Sequence, residues 1–251
     1  MLLAALISAV AVGPTGCGSN SGHGDPEADA TTSALPQQRP IDALQAAGQA
    51  LTREAFKLRI TPGRMSMVGE GVVDPIGRTA AITMGFRGSS YRIEVIMLGD
   101  DFYLRLSGFE DAPEQWLHLA ASAASGRCVQ GIHFDDLARF QTLSAGILDV
   151  KWDGDRRLKG TVDLIKPAKV DKVVLNALEE KATEVPFIAK VDDQGRLVDF
   201  HVGVRQVAPT HSQDLGMTYS DFGTTVEVEA PPASETIEMP ARVLRSLSED
   251  C

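Results

Sequence analysis

The sequence predicts an α+β fold built on an antiparallel sheet with a few helices. Three observations predict it: apolar residues recur at every second position along many short segments, tight turns separate these segments, and the helical segments cluster together. Helices that alternated with strands would instead indicate a doubly wound parallel sheet. The 251 residues have a net charge of −10 and are 43% hydrophobic, which is typical of an acidic globular chain and not of a nucleic-acid-binding one.

The predicted domain begins with a helix over residues 40–54, followed by an antiparallel meander. Apolar residues recur at helical spacing after Pro40, with Leu44 and Leu51 on the same face. Period-two runs separated by tight turns follow, and each run has one apolar and one polar face. The apolar positions of these runs are Phe56, Leu58 and Ile60; Ile82, Met84 and Phe86; Ile93, Val95 and Met97; and Phe102, Leu104 and Leu106.

Two further helices are predicted in the middle of the chain, with a strand over residues 158–164 between them. The first begins with Asp135 as its N-cap and the second begins at Pro167. Their apolar faces are Leu137, Phe140, Leu143 and Ile147 in the first, and Val170, Val173, Val174, Ala177 and Leu178 in the second.

The last part of the chain is predicted to complete the sheet. A hairpin joins residues 187–191 to 198–204, and a final pair of strands covers residues 215–219 and 226–228. The expected total is eight to ten antiparallel strands and three helices. Three helices cover the apolar face of such a sheet only in part.

Residues 1–16 have the layout of a lipoprotein signal peptide. An uncharged apolar run and several small residues lead to Cys17, and residues 18–37 are rich in Gly, Ser and Pro, as in a flexible tether. Cleavage before Cys17 would leave its thiol to carry a lipid anchor, which would hold the domain 38–251 on the outer face of the cell membrane. The alternative is a plain secretory signal, favoured by Pro14, which stands where lipoprotein signals usually carry Leu.

Cys128 and Cys251 are the two remaining cysteines of a chain predicted to be exported, which predicts a disulfide between them. A bridge that closes so long a loop would stabilise the fold by roughly 4 to 5 kcal/mol. The alternative is that Cys251 is a free thiol.

The sequence contains no catalytic, metal-binding or cofactor-binding motif that we recognise. Its acidic pairs lie in predicted turns or at a helix start, where turn and capping chemistry explain them. We therefore predict no catalysis, no metal and no cofactor. The predicted strands are also rich in methionine, which suits either ordinary core packing or a pocket for flexible apolar guests.

The order of turn and strand patterns along the chain is distinctive. It is carried by four segments: Gly69–Asp74, Gly99–Leu104 ahead of Trp116, Pro186–Val198 and Met217–Pro231. In this layout the chain resembles the actinobacterial lipoproteins of the LppX, LprA, LprF and LprG group, which have a LolA-like fold. The resemblance implies a strongly curved antiparallel sheet, a half-barrel, whose concave face is covered by helices around an apolar cavity. It also implies that this cavity holds the acyl chains of lipids or glycolipids.

The predicted function is thus to bind and carry or transfer acylated lipids or glycolipids without catalysis. The expected partners are that lipid, the membrane surface through the anchor, and, as a further candidate, a membrane lipid exporter. The predicted cavity-lining residues are Phe56, Leu58, Ile82, Met84, Phe86, Ile93, Val95, Met97, Phe102, Leu104, Leu143, Ile147 and Val174.

Two alternatives stay open. The first is a cell-surface interaction or assembly module of the same fold with a filled core. The second is an enzyme that acts on a lipid or glycan, which ranks last because the sequence offers no set of catalytic residues.

Overall fold

The computed structural model describes residues 38–61, 67–86, 88–129, 132–166, 175–176, 178–208 and 214–249, all of which belong to one compact unit. The predicted signal peptide, Cys17, the tether, Val174 and Cys251 lie outside the described residues. Within the described part of the chain, no helix combines the length and the apolar character needed to span a bilayer.

A large open sheet of twelve strands confirms the predicted α+β class. The strand order is β14-β6-β5-β4-β3-β2-β1-β13-β12-β11-β10-β9, and every neighbouring pair is antiparallel except β14 and β6. The strands are β1 Phe56–Thr61, β2 Met67–Asp74, β3 Thr79–Phe86, β4 Arg92–Leu98, β5 Asp101–Ser107, β6 Trp116–Ala120, β9 Ile147–Trp152, β10 Arg157–Val162, β11 Val185–Val191, β12 Leu197–Val202, β13 Leu215–Ser220 and β14 Thr236–Glu238, while β7 Cys128–Val129 and β8 Ile132–His133 form a separate hairpin.

The helices within the described residues are short. They are α1 Pro40–Gln49, which continues as a 3-10 turn at Ala50–Thr52, α2 Ala121–Ala124, α3 Phe140–Ser144, α4 Val204–Val207 and α5 Ala241–Glu249. The predicted helix that opens at Pro167 falls largely outside the described residues. Residues 175, 176 and 178 are helical, and a 3-10 helix follows at Glu179–Thr183.

The register of the strands places apolar side chains in rows that cross the inner face of the sheet. The first row, at the end where β1 begins, is Phe56, Val73, Ala80, Met97, Phe102 and Leu119. The second row is Tyr219, Leu58, Gly71, Ile82, Val95, Leu104 and Leu117. Because strand side chains alternate between faces, the residues between these two rows lie on the outer face.

The outer face is mixed: the row between the two apolar rows carries Val72, Ala81 and Ile96, whereas the next row is polar. Arg105 pairs with Glu94 at 2.7 Å and its guanidinium lies 4.6 Å from the ring centroid of Trp116. The inner face is covered by helices: the ring of Phe140 in α3 packs edge-on against Phe200 of β12 at 5.4 Å. The hydrophobic core therefore lies between the inner face and these covering segments.

The helix predicted from Asp135 through Ile147 is wrong in its extent. Only Phe140–Ser144 are helical, because Arg139 adopts a left-handed φ of 60° and interrupts the helical backbone on the N-terminal side. Ile147 begins strand β9 instead. Asp135 was the predicted N-cap, but Asp136 takes this role. Its carboxylate accepts the backbone N–H of Thr142, in the first turn of α3, at 2.6 Å.

Two predictions about strands also differ from the structure. Residues 226–228 alternate apolar and polar but form no strand, because no neighbouring strand pairs with them. Strand β2 was not predicted, because Gly69 and Gly71 take the inner positions where an alternating pattern needs apolar side chains. A Cβ at Gly71 would lie 2.4 Å from the carbonyl oxygen of Ala81, so the close approach of β3 requires glycine.

Cys128 is disulfide-bonded, and its partner lies outside the described residues. Helix α5 ends at Glu249, two positions before Cys251 in the sequence, and packs close to the hairpin that begins at Cys128. The guanidinium of Arg127 also donates to the carbonyl oxygen of Leu244 in α5 at 3.0 Å.

We predict that a digest of the non-reduced protein contains the peptide of Cys128 joined to the peptide of Cys251. Loss of this bridge in Cys128→Ser should lower the free energy of unfolding by roughly 2 to 5 kcal/mol, because the unfolded chain is then less constrained. Mass spectrometry of the digest checks the pairing. A peptide that joins Cys128 to Cys17 would contradict it.

His118 connects the edge strand β14 to the rest of the sheet. Its Nδ1 lies 2.8 Å from a carboxylate oxygen of Glu238 in β14, and its Nε2 lies 2.8 Å from one of Asp101 in β5. Hydrogen bonds to Asp101 and then Glu238 raise the pKa of His118 above its ordinary value. A raised pKa in the folded state means that these contacts stabilise the fold fully below about pH 6.5 and lose that effect as the pH rises through the folded-state pKa.

We predict that His118→Gln destabilises the protein more at about pH 6 than at about pH 9, because only the imidazolium form attracts both carboxylates. The difference should stay below about 1 kcal/mol, since both carboxylates are largely exposed to solvent. Urea unfolding of wild type and variant at the two pH values measures it. An equal effect at both pH values would show that His118 does not act through its charge.

Candidate functional site

A cavity of about 360 Å³ lies between the inner face of the sheet and the segments that cover it. Its floor is the first apolar row, and it opens at the end of the sheet that carries the β2–β3 turn. Its lining is Gly48, Leu51, Thr52, Phe56, Val73, Pro75, Arg78, Met97, Phe102, Ala121, Ala124, Phe134, Asp135, Asp136, Leu137, Ala138, Phe140 and Gln141. The volume is at the lower end of the range of small-molecule sites.

Most of the residues that cover the cavity belong to segment 121–146, which runs from α2 through the β7–β8 hairpin to α3, and the others belong to α1 and the 3-10 turn after it. Phe134 packs against Phe102 of the sheet with ring centroids 4.2 Å apart. Phe140 packs so closely against α1 that a Cβ at Gly48 would lie 1.8 Å from its ring. Only glycine at position 48 therefore lets the helix and this ring share the space.

Directional contacts hold this covering segment to the sheet. The hydroxyl of Tyr219 donates to the carbonyl oxygen of Ala138 at 2.7 Å, deep in the core. Burial raises the pKa of Tyr219 well above its ordinary value, so the phenol stays protonated and can donate. Nearby Asp136 also raises this pKa, and Arg139 opposes it.

The two acidic residues of the lining hold the segment in shape. Asp135 accepts the backbone N–H of Gly126 at 2.7 Å, and the buried carboxylate of Asp136 accepts that of Thr142 at 2.6 Å. Because both carboxylates are engaged with the backbone, their geometry supports the structural interpretation of the Asp135–Asp136 pair over an acid–base one.

The cavity has walls that are apolar except for the buried carboxylate of Asp136, and a polar rim. Thr52, Arg78, Asp135 and Gln141 are exposed and form the rim. The guanidinium of Arg78 pairs with Asp100 at 2.7 Å, on the adjacent β4–β5 turn. The buried walls are Leu51, Phe56, Val73, Phe102, Ala124, Phe134, Leu137, Ala138 and Phe140.

Of the predicted lining residues, the structure brings Phe56, Met97 and Phe102 together at this cavity. All three occupy the first apolar row. Val174 lies outside the described residues. The others do not line this cavity: Leu58, Ile82, Met84, Ile93, Val95, Leu104 and Leu143 are buried in the core, and Phe86 and Ile147 are partly buried against it.

Sequence reasoning missed most of the covering residues. Phe134 and Ala138 lie in turns without periodic spacing, and Pro75 and Arg78 belong to a surface turn. Leu51 lay on the apolar face of a predicted helix, and that pattern could have identified it. The rest of the covering segment carried no comparable signal.

A second cavity, of about 400 Å³, lies on the outer face across β9 to β12. It is lined by Lys151, Lys159 and His201, among other polar groups. None of the predicted lining residues lies at this second cavity, although the cavity is slightly larger. We therefore take the inner cavity as the candidate site.

Comparison with known proteins does not add an identity. No protein-family model matches the chain, and no curated protein matches it significantly. The resemblance to the LppX and LprG lipoproteins thus stays a prediction. Within the described residues, no group of three or more His, Cys, Asp or Glu side chains is arranged to hold a metal ion.

Two matched substitutions test the cavity without any ligand. Val73 and Val95 both lie on the inner face of the sheet, but only Val73 lines the cavity. We predict that Val95→Phe lowers the free energy of unfolding by about 1 to 3 kcal/mol, because the core around it has no space, whereas Val73→Phe changes it by less than about 1 kcal/mol. Urea unfolding of both variants measures the difference, and equal losses would contradict the presence of free space at Val73.

Proposed function

We propose that this protein is an exported carrier that holds an acyl chain of a lipid or glycolipid in the inner cavity. The observation that carries the proposal is the position of the cavity, with Phe56, Met97 and Phe102 on its floor. A lipid must leave the bilayer to be carried, and each methylene exposed to water costs about 0.8 kcal/mol. A largely apolar wall lowers that cost without any chemical reaction.

The volume of the cavity supports a guest with one acyl chain. At about 360 Å³ it is at the small end for ligand sites, and its walls are apolar apart from Asp136 while its rim is polar. An amphiphile fits this division, with the chain inside and the head group at the rim beside Thr52, Arg78 and Gln141. Apolar burial is non-directional, so such a site selects the volume of the chain more than its chemical detail.

The proposal includes the place of the protein in the cell. Cys17 would carry the lipid anchor, residues 18–37 would form the tether, and the half-barrel of the LolA-like lipoproteins would be the architecture of the domain. A membrane lipid exporter is the candidate partner that loads or receives the guest. The cell envelope is the corresponding location.

A second candidate function is a cell-surface interaction or assembly module with a filled core. Seven of the predicted lining residues favour it, because they are at most 2% exposed and pack into one continuous core. On this view the inner cavity is a packing defect. Ligand binding decides between the two candidates.

We predict that the full chain binds a fluorescent long-chain fatty acid saturably, and that Val73→Phe lowers its affinity at least about tenfold by filling the cavity. Fluorescence titration measures both affinities. Val243→Phe is the matched control, since Val243 lines a separate cavity that shares no residue with the inner one.

This control should bind the probe as the wild type does. An absence of saturable binding to the wild type would favour the module with a filled core. Unchanged affinity in Val73→Phe would place the probe outside the inner cavity and contradict the proposal.

A further inference from the structure

Ile76 is an exposed apolar side chain at the rim of the inner cavity. It is 71% exposed, the largest exposed fraction among the large hydrophobic side chains of the described residues. It lies between Pro75 and Arg78, which both line the cavity. An apolar side chain held in water beside the opening of an apolar cavity has no role in the packing of the core.

The turn that carries Ile76 is fixed by hydrogen bonds. A single carboxylate oxygen of Asp74 accepts the backbone N–H of Ile76 at 3.0 Å and that of Gly77 at 2.9 Å. The carbonyl oxygen of Arg78 accepts the N–H of Gly99 at 2.9 Å, which ties the turn to the adjacent β4–β5 turn. The isoleucine is therefore presented to solvent by an ordered turn.

The first described residue lies at this same end of the sheet. The carbonyl oxygen of Gln38 accepts a hydrogen bond from Trp152 at the end of β9, at 3.3 Å. The strand register places that end of β9 at the same end of the sheet as the start of β1 and the β2–β3 turn, although β9 is the opposite edge strand. A tether of about 20 residues that leads into Gln38 would reach about 25 Å, and would keep this end of the domain near a membrane.

We propose that the β2–β3 turn is the surface through which the cavity opening contacts a lipid bilayer, with Ile76 entering the acyl boundary. This inference rests on the proposed function. It identifies the surface at which a bound lipid would pass between the cavity and the bilayer. Arg78 is paired with Asp100, and the chain has a net charge of −10, so the contact is apolar and does not depend on anionic lipid. One isoleucine gives only weak binding, which becomes effective when an anchor keeps the turn close to the surface.

The chain offers a closely matched control at the opposite end of the sheet. Ile165 is 52% exposed, and the carboxylate of Asp163 accepts its N–H at 2.8 Å and that of Lys166 at 3.2 Å. This turn follows β10, whose last residue pairs with the first residue of β11, away from the inner cavity. Ile76 and Ile165 thus share their local chemistry and differ in position.

The experiment compares Ile76→Ser with Ile165→Ser in the full chain. The rate at which a bound fluorescent long-chain fatty acid transfers to phosphatidylcholine vesicles should fall about tenfold in Ile76→Ser and stay unchanged in Ile165→Ser. The affinity for the probe in solution should be the same in both variants. Equal transfer rates in the two variants would overturn the proposal, although the carrier function would stand if the probe still binds.

A second measurement does not depend on a bound guest. In Ile76→Trp, brominated phosphatidylcholine vesicles should quench the fluorescence of the new indole, whereas Ile165→Trp should show no more quenching than the wild type. Quenching in Ile76→Trp should not increase when anionic lipid is added. Absence of quenching in Ile76→Trp would overturn the membrane contact whether or not the protein binds lipid.

Discussion

The fold depends on the burial of one apolar sheet face. Twelve strands align apolar side chains in rows on the inner face, and short helices and turns must cover these rows because a sheet cannot leave such a face in water. Helix α1 covers the strands from β9 to β12, and segment 121–146 covers the first row. The cavity lies where these two covers meet over the strands β1 to β5.

A few directional contacts decide how close the cover comes to the sheet. The hydrogen bond from Tyr219 to Ala138 fixes the distance between the covering segment and the sheet. The contact of Gly48 with Phe140 fixes the distance between that segment and α1. Asp136 keeps the turn before α3 in shape. These contacts involve the covering segment and not the sheet alone, so a small shift of that segment would change the volume of the cavity without disturbing the strands.

The sequence predicted the elements whose spacing of apolar residues follows from having one buried and one exposed side. Strands β3, β4 and β5 alternate because one face is buried, and α1 shows helical spacing because one side packs on the sheet. Elements whose environment is made by distant parts of the chain carried no such pattern. Ile147 continued a helical spacing by coincidence but begins a strand, and β14 has only three residues and pairs with a strand distant in sequence.

The candidate site was predictable only in part, for the same reason. Its floor is a row of strand residues, so alternation identified Phe56, Met97 and Phe102. Its cover is made of turns such as the one around Phe134. The contacts of these turns with the sheet produce no periodic pattern in the sequence. The bond of His118 to Glu238 likewise joins residues 120 positions apart, and no local pattern encodes it.

The carrier function requires that the space between the sheet and its cover is accessible to an acyl chain. Native mass spectrometry of the protein purified from a cell envelope measures whether this space is occupied. A carrier should show a mass increment that matches one single-chain amphiphile or one acylated lipid, and organic extraction should remove it. A protein that carries only its own mass, and that takes up no lipid from micelles, would not be a carrier and would have a filled core.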